Sequence, residues 1–281
     1  RSDSGGTVSG RLSMSNPNLQ QVPARNKDFG PKIRSLFIPE EGYKWGSFDY
    51  SQQEPRMTVH YAASIGDGYE GSNELVEAYH NTEADFHQTV ADLVGIERSQ
   101  AKTIGLGLMY GMGKNKLALS LGVSKDEADQ LIVKYNNKVP FVKKLSDRCK
   151  FAADEKGVIR TKKGRKCRFD MWETKDFGLH VAEKFDDAVA KYGKDNIKRA
   201  YTYKALNRLI QGSSADQTKQ AMLDCYGAGH LPMLQIHDEL CFNIKDDAHA
   251  NEIKKIMENA IDFKVPSVVD KGIGESWGDA K

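Results

Sequence analysis

Two stretches with the period of a β-strand lie far apart in this chain, and a long helical block separates them. In "MLQIHDELCFNI", Met233 to Ile244, the apolar Leu240, Phe242 and Ile244 alternate with Cys241 and Asn243. That alternation is a strand period, and the whole run reads as strand, tight turn, strand. "KWGSF", Lys44 to Phe48, reads as a strand leading into Asp49 and Tyr50. Between them, from about Ser72, the pattern turns helical. "SKDEADQLIVKYNN" opens on Ser124 with Glu127 three residues later, a capping box. Pro140 interrupts, and a second helical stretch runs to about Glu155. "GVIRTKKGRKCRF" reads as a hairpin turning at Gly164. "YKALNRLIQGSSADQTKQAMLDCYG" reads as a long helix stopping near Gly227. After the second strand pair, Ile253, Ile256, Met257, Ala260 and Ile261 give "ANEIKKIMENAI" the stripe of an amphipathic helix. Strands that flank a helical insertion predict an α+β protein.

The Met233–Ile244 run places His237, Asp238 and Glu239 at the tip of an otherwise apolar hairpin. Two readings fit. One is a solvated turn, where Asp and His are common. The other is a metal ligand presented from a rigid hairpin, which needs a second carboxylate, since one Asp rarely holds a divalent ion alone. "SFDYSQQEPR", Ser47 to Arg56, offers that partner. Successive strand residues face opposite sides, so Asp49 points away from the face of Phe48. Asp49 alone is equally well an N-cap or turn residue. Together, Asp49 and Asp238 at the ends of neighbouring strands suit a pair of divalent ions.

A third constellation is "ERSQAKTIGLGLMYGMGK", Glu97 to Lys114. Arg98, Lys102, Leu106 and Tyr110 recur every four residues, each step drifting about 40° around a helix. The stripe is either a solvated amphipathic face or a site for a triphosphate, a sugar and a base. Gly105, Gly107, Gly111 and Gly113 each cost helix stability, which points to close backbone approach or a bend.

Composition removes several classes. Apolar residues make up 39% and charged residues 28%, a globular balance with nothing collagenous or disordered about it. No apolar run approaches about 18 residues, so no membrane span is expected. The net charge of +2 does not by itself announce a nucleic-acid binder. "RTKKGRKCR", Arg160 to Arg168, nevertheless carries six basic residues among nine, either a solvated turn or a phosphate contact. The cysteines Cys149, Cys167, Cys225 and Cys241 match no zinc spacing and read as free thiols of a reducing compartment. The chain opens on Arg1 rather than Met, which suggests a fragment or processed product.

Taken together, these stretches resemble the polymerase domain of the family A DNA polymerases, the bacterial DNA polymerase I and phage replicase family. "DYSQQEPR" is similar to its motif A, Arg98-x-x-x-Lys102-x-x-x-Leu106-Gly107-x-x-Tyr110-Gly111 to its motif B, and "QIHDEL" to its motif C. "SGRLSMSNPNLQQVPARN", "ADFHQTVADLVG", "NRLIQGSSAD" and "GESWGDA" match in order, so the resemblance covers nearly the whole chain.

The resemblance implies a right-hand polymerase fold without its thumb: an antiparallel palm sheet from residues 1–56 and 200–281, with a large helical fingers insertion at 57–199. It implies that Asp49 and Asp238 bind two Mg²⁺ ions, with Glu239 supporting them. Arg98, Lys102 and His87 would clamp the triphosphate of a deoxynucleotide, and Lys102 would donate a proton to the leaving pyrophosphate. Leu106, Tyr110, Glu54 and Gln52 would line the nucleotide site, Glu54 as a gate against a ribose 2′-OH. Arg11, Asn18, Arg25, Asn207, Gln211, His237 and Arg165 would contact primer-template DNA. An upstream chain carrying thumb and exonuclease is an implied partner, a membrane is not, and the implied setting is the cytoplasm of a bacterium or phage-infected host. Leu106 departs from the family's usual Phe or Tyr, and Gln53 and Pro55 from its usual Ile and Leu; with Glu97 these lean toward a phage lineage. Two rivals are a single-subunit RNA polymerase, which a carboxylate gate at Glu54 argues against, and a non-catalytic portion that only binds primer-template.

Overall fold

The computed structural model describes residues 7–23, 26, 28–81, 85–176, 178 and 180–280. In chain order the elements are α1 (Gly30–Arg34), β1 (Lys44–Tyr50), α2 (Gln53–Ala63), α3 (Ser72–Asn81), α4 (Phe86–Val94), α5 (Arg98–Met109), α6 (Lys114–Leu121), α7 (Lys125–Lys138) and α8 (Pro140–Lys156). Then come β2 (Val158–Arg160), β3 (Lys166–Arg168), β4 (Trp172–Thr174), α9 (Phe185–Tyr192), β5 (Ile197–Arg199) and α10 (Ala205–Gly227). The chain finishes with β6 (Leu234–Ile236), β7 (Glu239–Ile244), α11 (Asp247–Glu258) and β8 (Val269–Gly274). It divides into two compact units, Arg1–Met57 with Ser213–Lys281, and Thr58–Gly212.

The first unit is built on an antiparallel sheet of order β6-β7-β1-β8. Strand alternation decides its two faces. On one, Phe48, Tyr50, Leu240, Phe242 and Ile244 pack against Ala221 and Cys225 of α10 and Ala250, Ile253 and Met257 of α11. Phe48 and Phe242 meet edge to face at 5.6 Å, and each such burial stabilises by about 1.5–3 kcal/mol. On the other face Trp45, Cys241, Leu234 and Ile236 pack with Trp277, and Met14, Leu19, Val22 and Phe37 close over them. Met14 to Phe37 and Trp277, far apart in sequence, therefore meet on one sheet. The fold is α+β, as the sequence pattern predicts.

The second unit is mainly helical. α4 starts at Asp85, whose carboxylate accepts from the backbone N–H groups of His87 and Gln88. α7 starts at the expected capping box, with Ser124 and Glu127 bonding reciprocally. Pro140 opens α8, where its missing N–H costs nothing. The short strands β2 and β3 form the hairpin around Gly164. The unit continues past Arg199 to Gly212: β5 pairs with β4, and Arg208 Nη1 donates to the Arg168 carbonyl at 2.8 Å.

Candidate active site

In the first unit the sheet register gathers carboxylates at one strand end. Asp49 lies directly across from Glu239 on β7 and from Asp270 on β8, and cross-strand partners share a face. The Tyr50 N–H points at the Asp238 carbonyl, at 3.5 Å, which sets the hairpin tip beside the end of β1. Burial comes first in pushing the Asp49 carboxyl up to about 7, followed by repulsion from Asp238, Glu239 and Asp270. Solvent reaches Asp49, so screening softens the effect, yet its direction is upward. Burial raises Asp238 as well, against opposing contributions from its own backbone N–H, Arg11 and His237. Asp270 is a member of this group that strand periodicity does not reveal, because its partner is fixed only by register.

Strained backbone flanks both aspartates. His237 has φ +53° and Gln52 has φ +52°, left-handed values that side chains other than Gly seldom adopt. Each is held from outside. Gln235, buried, donates Nε2 to the His237 carbonyl, while its Oε1 accepts from Gln20 Nε2 at 3.1 Å. Arg56, also buried, donates Nε to the Ser51 carbonyl at 3.0 Å and Nη1 to the Pro266 carbonyl at 2.8 Å, pinning the turn that contains Gln52. Gln53 is buried with its amide donating to Gln217 Oε1 at 3.0 Å, and Gln217 donates onward to Ser267 Oγ at 2.7 Å. The buried Gln53 amide is thus satisfied from α10, and Gln217 carries the chain of bonds on to the loop before β8. Glu239 is fixed by Trp277, whose Nε1 donates to its Oε1 at 3.0 Å.

Two further expected residues pair with each other. Arg11 Nη2 donates to Glu54 Oε1 at 2.8 Å, with only 12% of the Glu54 side chain exposed. Asn18 uses its side chain to cap the 3₁₀ turn Leu19–Gln21. Arg25 lies outside the described residues.

In the second unit α5 presents the expected stripe. Arg98, Lys102 and Tyr110 are exposed and Leu106 half-buried, while Ala101, Ile104, Gly105, Gly107 and Met109 face inward. A Cβ on Gly105 would stand 3.1 Å from the Tyr135 hydroxyl, so glycine permits the close approach of α7. Arg98 is not isolated: its guanidinium is bonded to Asp85. Burial works against ionisation of Asp85, yet the hydrogen bond from Arg98 and two backbone donors hold its carboxyl below the usual range. His87 is 4% exposed. Burial, with Lys102 and Arg98 nearby, pulls its imidazole down to about 4, so it is neutral at pH 7. Asn207 and Gln211 sit one helical turn apart on α10, half-buried. Arg165 turns inward, donating Nη2 to the Gly212 carbonyl at 2.7 Å, whereas Lys162, Lys163 and Lys166 of the same hairpin are exposed.

Among the described residues no group of three or more His, Cys, Asp or Glu side chains is arranged to hold a metal ion. The Asp49–Asp238 pair fits a hard cation in another way. Mg²⁺ is commonly held by one or two carboxylates, with water and substrate phosphate completing its shell. A carboxyl pushed up by burial and by neighbouring carboxylates, as Asp49 is, has its ionised form stabilised by such a charge.

The chain is similar to known proteins over nearly its whole length. The family described as DNA polymerase family A matches residues 2–279. A DNA-directed DNA polymerase of Pseudomonas phage M6 is 39% identical over 97% of this chain and 44% of its own length. DNA polymerase I of Pseudomonas aeruginosa is 31% identical over 97% of this chain and 29% of its own. The chain thus spans less than half of either relative. The solved POL domain of Pol1 from M. smegmatis, in complex with DNA primer-template and dNTP, is 30% identical with a TM-score of 0.77, covering 98% of this chain and 47% of that one. With nearly every residue inside one family match, the chain belongs to DNA polymerase family A.

Proposed function

We propose that the chain carries out template-directed addition of deoxynucleoside triphosphates to a primer 3′ end, with the first unit as palm and the second as fingers. The observation that carries this reading is the crowding of Asp49 and Asp238 beside Glu239 at one sheet end, where the burial of both and the repulsion felt by Asp49 favour a bound cation. The mycobacterial domain of similar fold, solved with primer-template and dNTP, supports the same substrates here.

Two Mg²⁺ ions at Asp49 and Asp238 would supply a lowered pKa for the attacking hydroxyl and charge neutralisation at the phosphates. The chain's own residues do the rest. Trp277 holds Glu239, and Arg56 and Gln235 hold the two strained turns, so the carboxylates stay in place without reorganising. Lys102, exposed on α5, would reach the triphosphate and return a proton to the leaving pyrophosphate. Arg98 would exchange its bond to Asp85 for a phosphate, a charge-for-charge swap. His87, neutral at pH 7, would offer a hydrogen bond rather than a charge. Glu54, held by Arg11, would close the space for a ribose 2′-OH. Asn207 and Gln211 would meet the minor groove of the new pair, where acceptors differ little between bases, and so test its shape.

Primer extension on a primed template with Mg²⁺ and four deoxynucleotides tests this, with Asp238→Ala beside the wild type. Extension that disappears in the variant supports the reading. Extension equal in both would contradict it, and DNA binding without synthesis, untouched by the variant, would favour the non-catalytic alternative.

A further inference from the structure

Within the first unit, the open end of the β6–β7 hairpin carries a pair of imidazoles that nucleotide addition does not use. The hairpin turns at His237 and Asp238, and its register runs from Ile236 opposite Glu239 to Leu234 opposite Cys241. Away from that turn, His230 precedes β6 and His249 lies in the first turn of α11. The two rings meet with centroids 4.8 Å apart, beside a hollow of about 730 Å³.

The hydrogen bonds along this pair have a fixed direction. The Lys245 backbone N–H can only donate, and it lies 3.2 Å from His249 Nδ1. His249 Nδ1 is therefore the acceptor, which leaves its proton on Nε2. That Nε2 stands 3.0 Å from His230 Nδ1 and donates to it. The His230 proton is then on Nε2, which is buried without a hydrogen-bond partner and 3.5 Å from Glu252 Oε2. The chain of bonds is complete only while both rings are neutral. A proton added at His249 Nδ1 meets the Lys245 N–H. One added at His230 Nδ1 meets the His249 N–H. Either one breaks a bond.

The surroundings do not relieve this conflict. The charged and titratable groups beside the pair are Glu252 on α11, Lys245 and Asp246 in the turn before it, and Glu40 and Tyr43 on the loop before β1. The Cys225 carbonyl accepts from the His230 backbone N–H at 2.8 Å, and burial pushes the Cys225 thiol up to about 12. The three carboxylates favour a proton on the pair, and Lys245 opposes one. Burial comes first in pulling His249 below its ordinary value of 6.5, followed by His230 and Lys245, against Asp246 and Glu252. A lowered value means that the contribution to stability is whole above pH 6.5 and is lost as pH falls. The far side of the pair is anchored, because the His249 backbone N–H donates to the Asp246 carboxylate at 2.8 Å.

We infer that His230 and His249 form an acid-released latch, which ties the connection between α10 and β6 to the start of α11 while both rings are neutral and frees it on protonation. Asp49 and Asp238 lie at the other end of the hairpin and take no part.

Amide hydrogen exchange followed by NMR at pH 7.5 and pH 5, corrected for the intrinsic pH dependence of exchange, tests this. Protection of the Lys245 amide is expected to fall about tenfold at the lower pH, as for the loss of one hydrogen bond. Amides of β1, which is paired on both sides, are expected to keep theirs. His249→Asn retains a side-chain oxygen as acceptor and does not titrate, so it is expected to remove the pH dependence at Lys245. Carbon NMR of the His249 ring supplies a second reading: His230→Gln is expected to move its midpoint up toward 6.5. Equal protection of Lys245 at both pH values, a pH dependence that persists in His249→Asn, or a His249 midpoint that His230→Gln leaves in place would overturn the inference. So would a loss of protection shared by β1, which would mark global unfolding rather than release of a latch.

Discussion

Trp277 donates its indole N–H to Glu239 at 3.0 Å, joining the last turn of the chain to the carboxylate that faces Asp49 across the sheet. The indole stacks near Trp45, takes Phe37 on its edge and carries the Arg34 guanidinium 4.2 Å from its ring. Trp277→Phe keeps much of this packing and removes the donor. It is expected to lower the rate of nucleotide addition while costing about 1–3 kcal/mol of stability, the usual penalty of leaving a hydrogen-bonding group without its partner. Thermal unfolding and single-turnover extension, measured together, check this. Unchanged addition would mean that Glu239 needs no anchor.

Burial, then repulsion from Asp238 and its neighbours, raises the Asp49 carboxyl to about 7. A carboxyl whose folded value lies above its unfolded one favours folding at low pH, and that contribution is lost as pH rises from about 4 through 7. Binding of Mg²⁺ is expected to release a proton near neutral pH and to tighten between pH 6 and 8. Calorimetry in two buffers of different ionisation heat measures the release. Asp238→Asn removes one negative neighbour and should move the Asp49 midpoint down, as followed by carbon NMR of the carboxyl.

His87 behaves in the opposite sense. Its folded value, about 4, lies below the ordinary imidazole value of 6.5. The stability this neutral group contributes is complete above pH 6.5 and is lost as pH falls from there through 4. The shift corresponds to about 3 kcal/mol. Urea unfolding of the wild type and His87→Gln at pH 7 and pH 4.5 should show a steeper acid loss in the wild type.

Glu54 sits against Arg11, largely buried. If it excludes a 2′-hydroxyl, Glu54→Ala should lower the preference for deoxynucleotides over ribonucleotides by roughly 10- to 200-fold. The ratio of kcat/KM for the two sugars measures it. A ratio that stays fixed would assign Glu54 only to holding Arg11.

The parts of the fold visible in sequence are those set by local pattern. The alternation of β7, the capping box of α7, the stripe of α11 and the basic hairpin at Gly164 all follow from spacing within a dozen residues. So does the outward position of Asp49 opposite Phe48. The contacts that hold the site join distant positions: Trp277 with Glu239, Gln20 with Gln235, Gln53 with Gln217; the register that sets Asp270 across from Asp49 is equally long-range. A period of two assigns a residue to a face and says nothing of which strand lies beside it. Long polar side chains hide their partners for a similar reason. Arg98 and Arg165 read in sequence as solvated or phosphate-binding cations, yet one is bonded to an N-cap carboxylate and the other to a backbone carbonyl.

The central claim is that Asp49 and Asp238 act as a unit, and single-turnover nucleotide addition by Asp49→Asn, Asp238→Asn and the double variant tests it most directly. Groups that work together do not contribute additively. The expected result is that each single substitution abolishes addition about as fully as the double, with primer-template still bound. Substantial addition by either single variant would contradict the account.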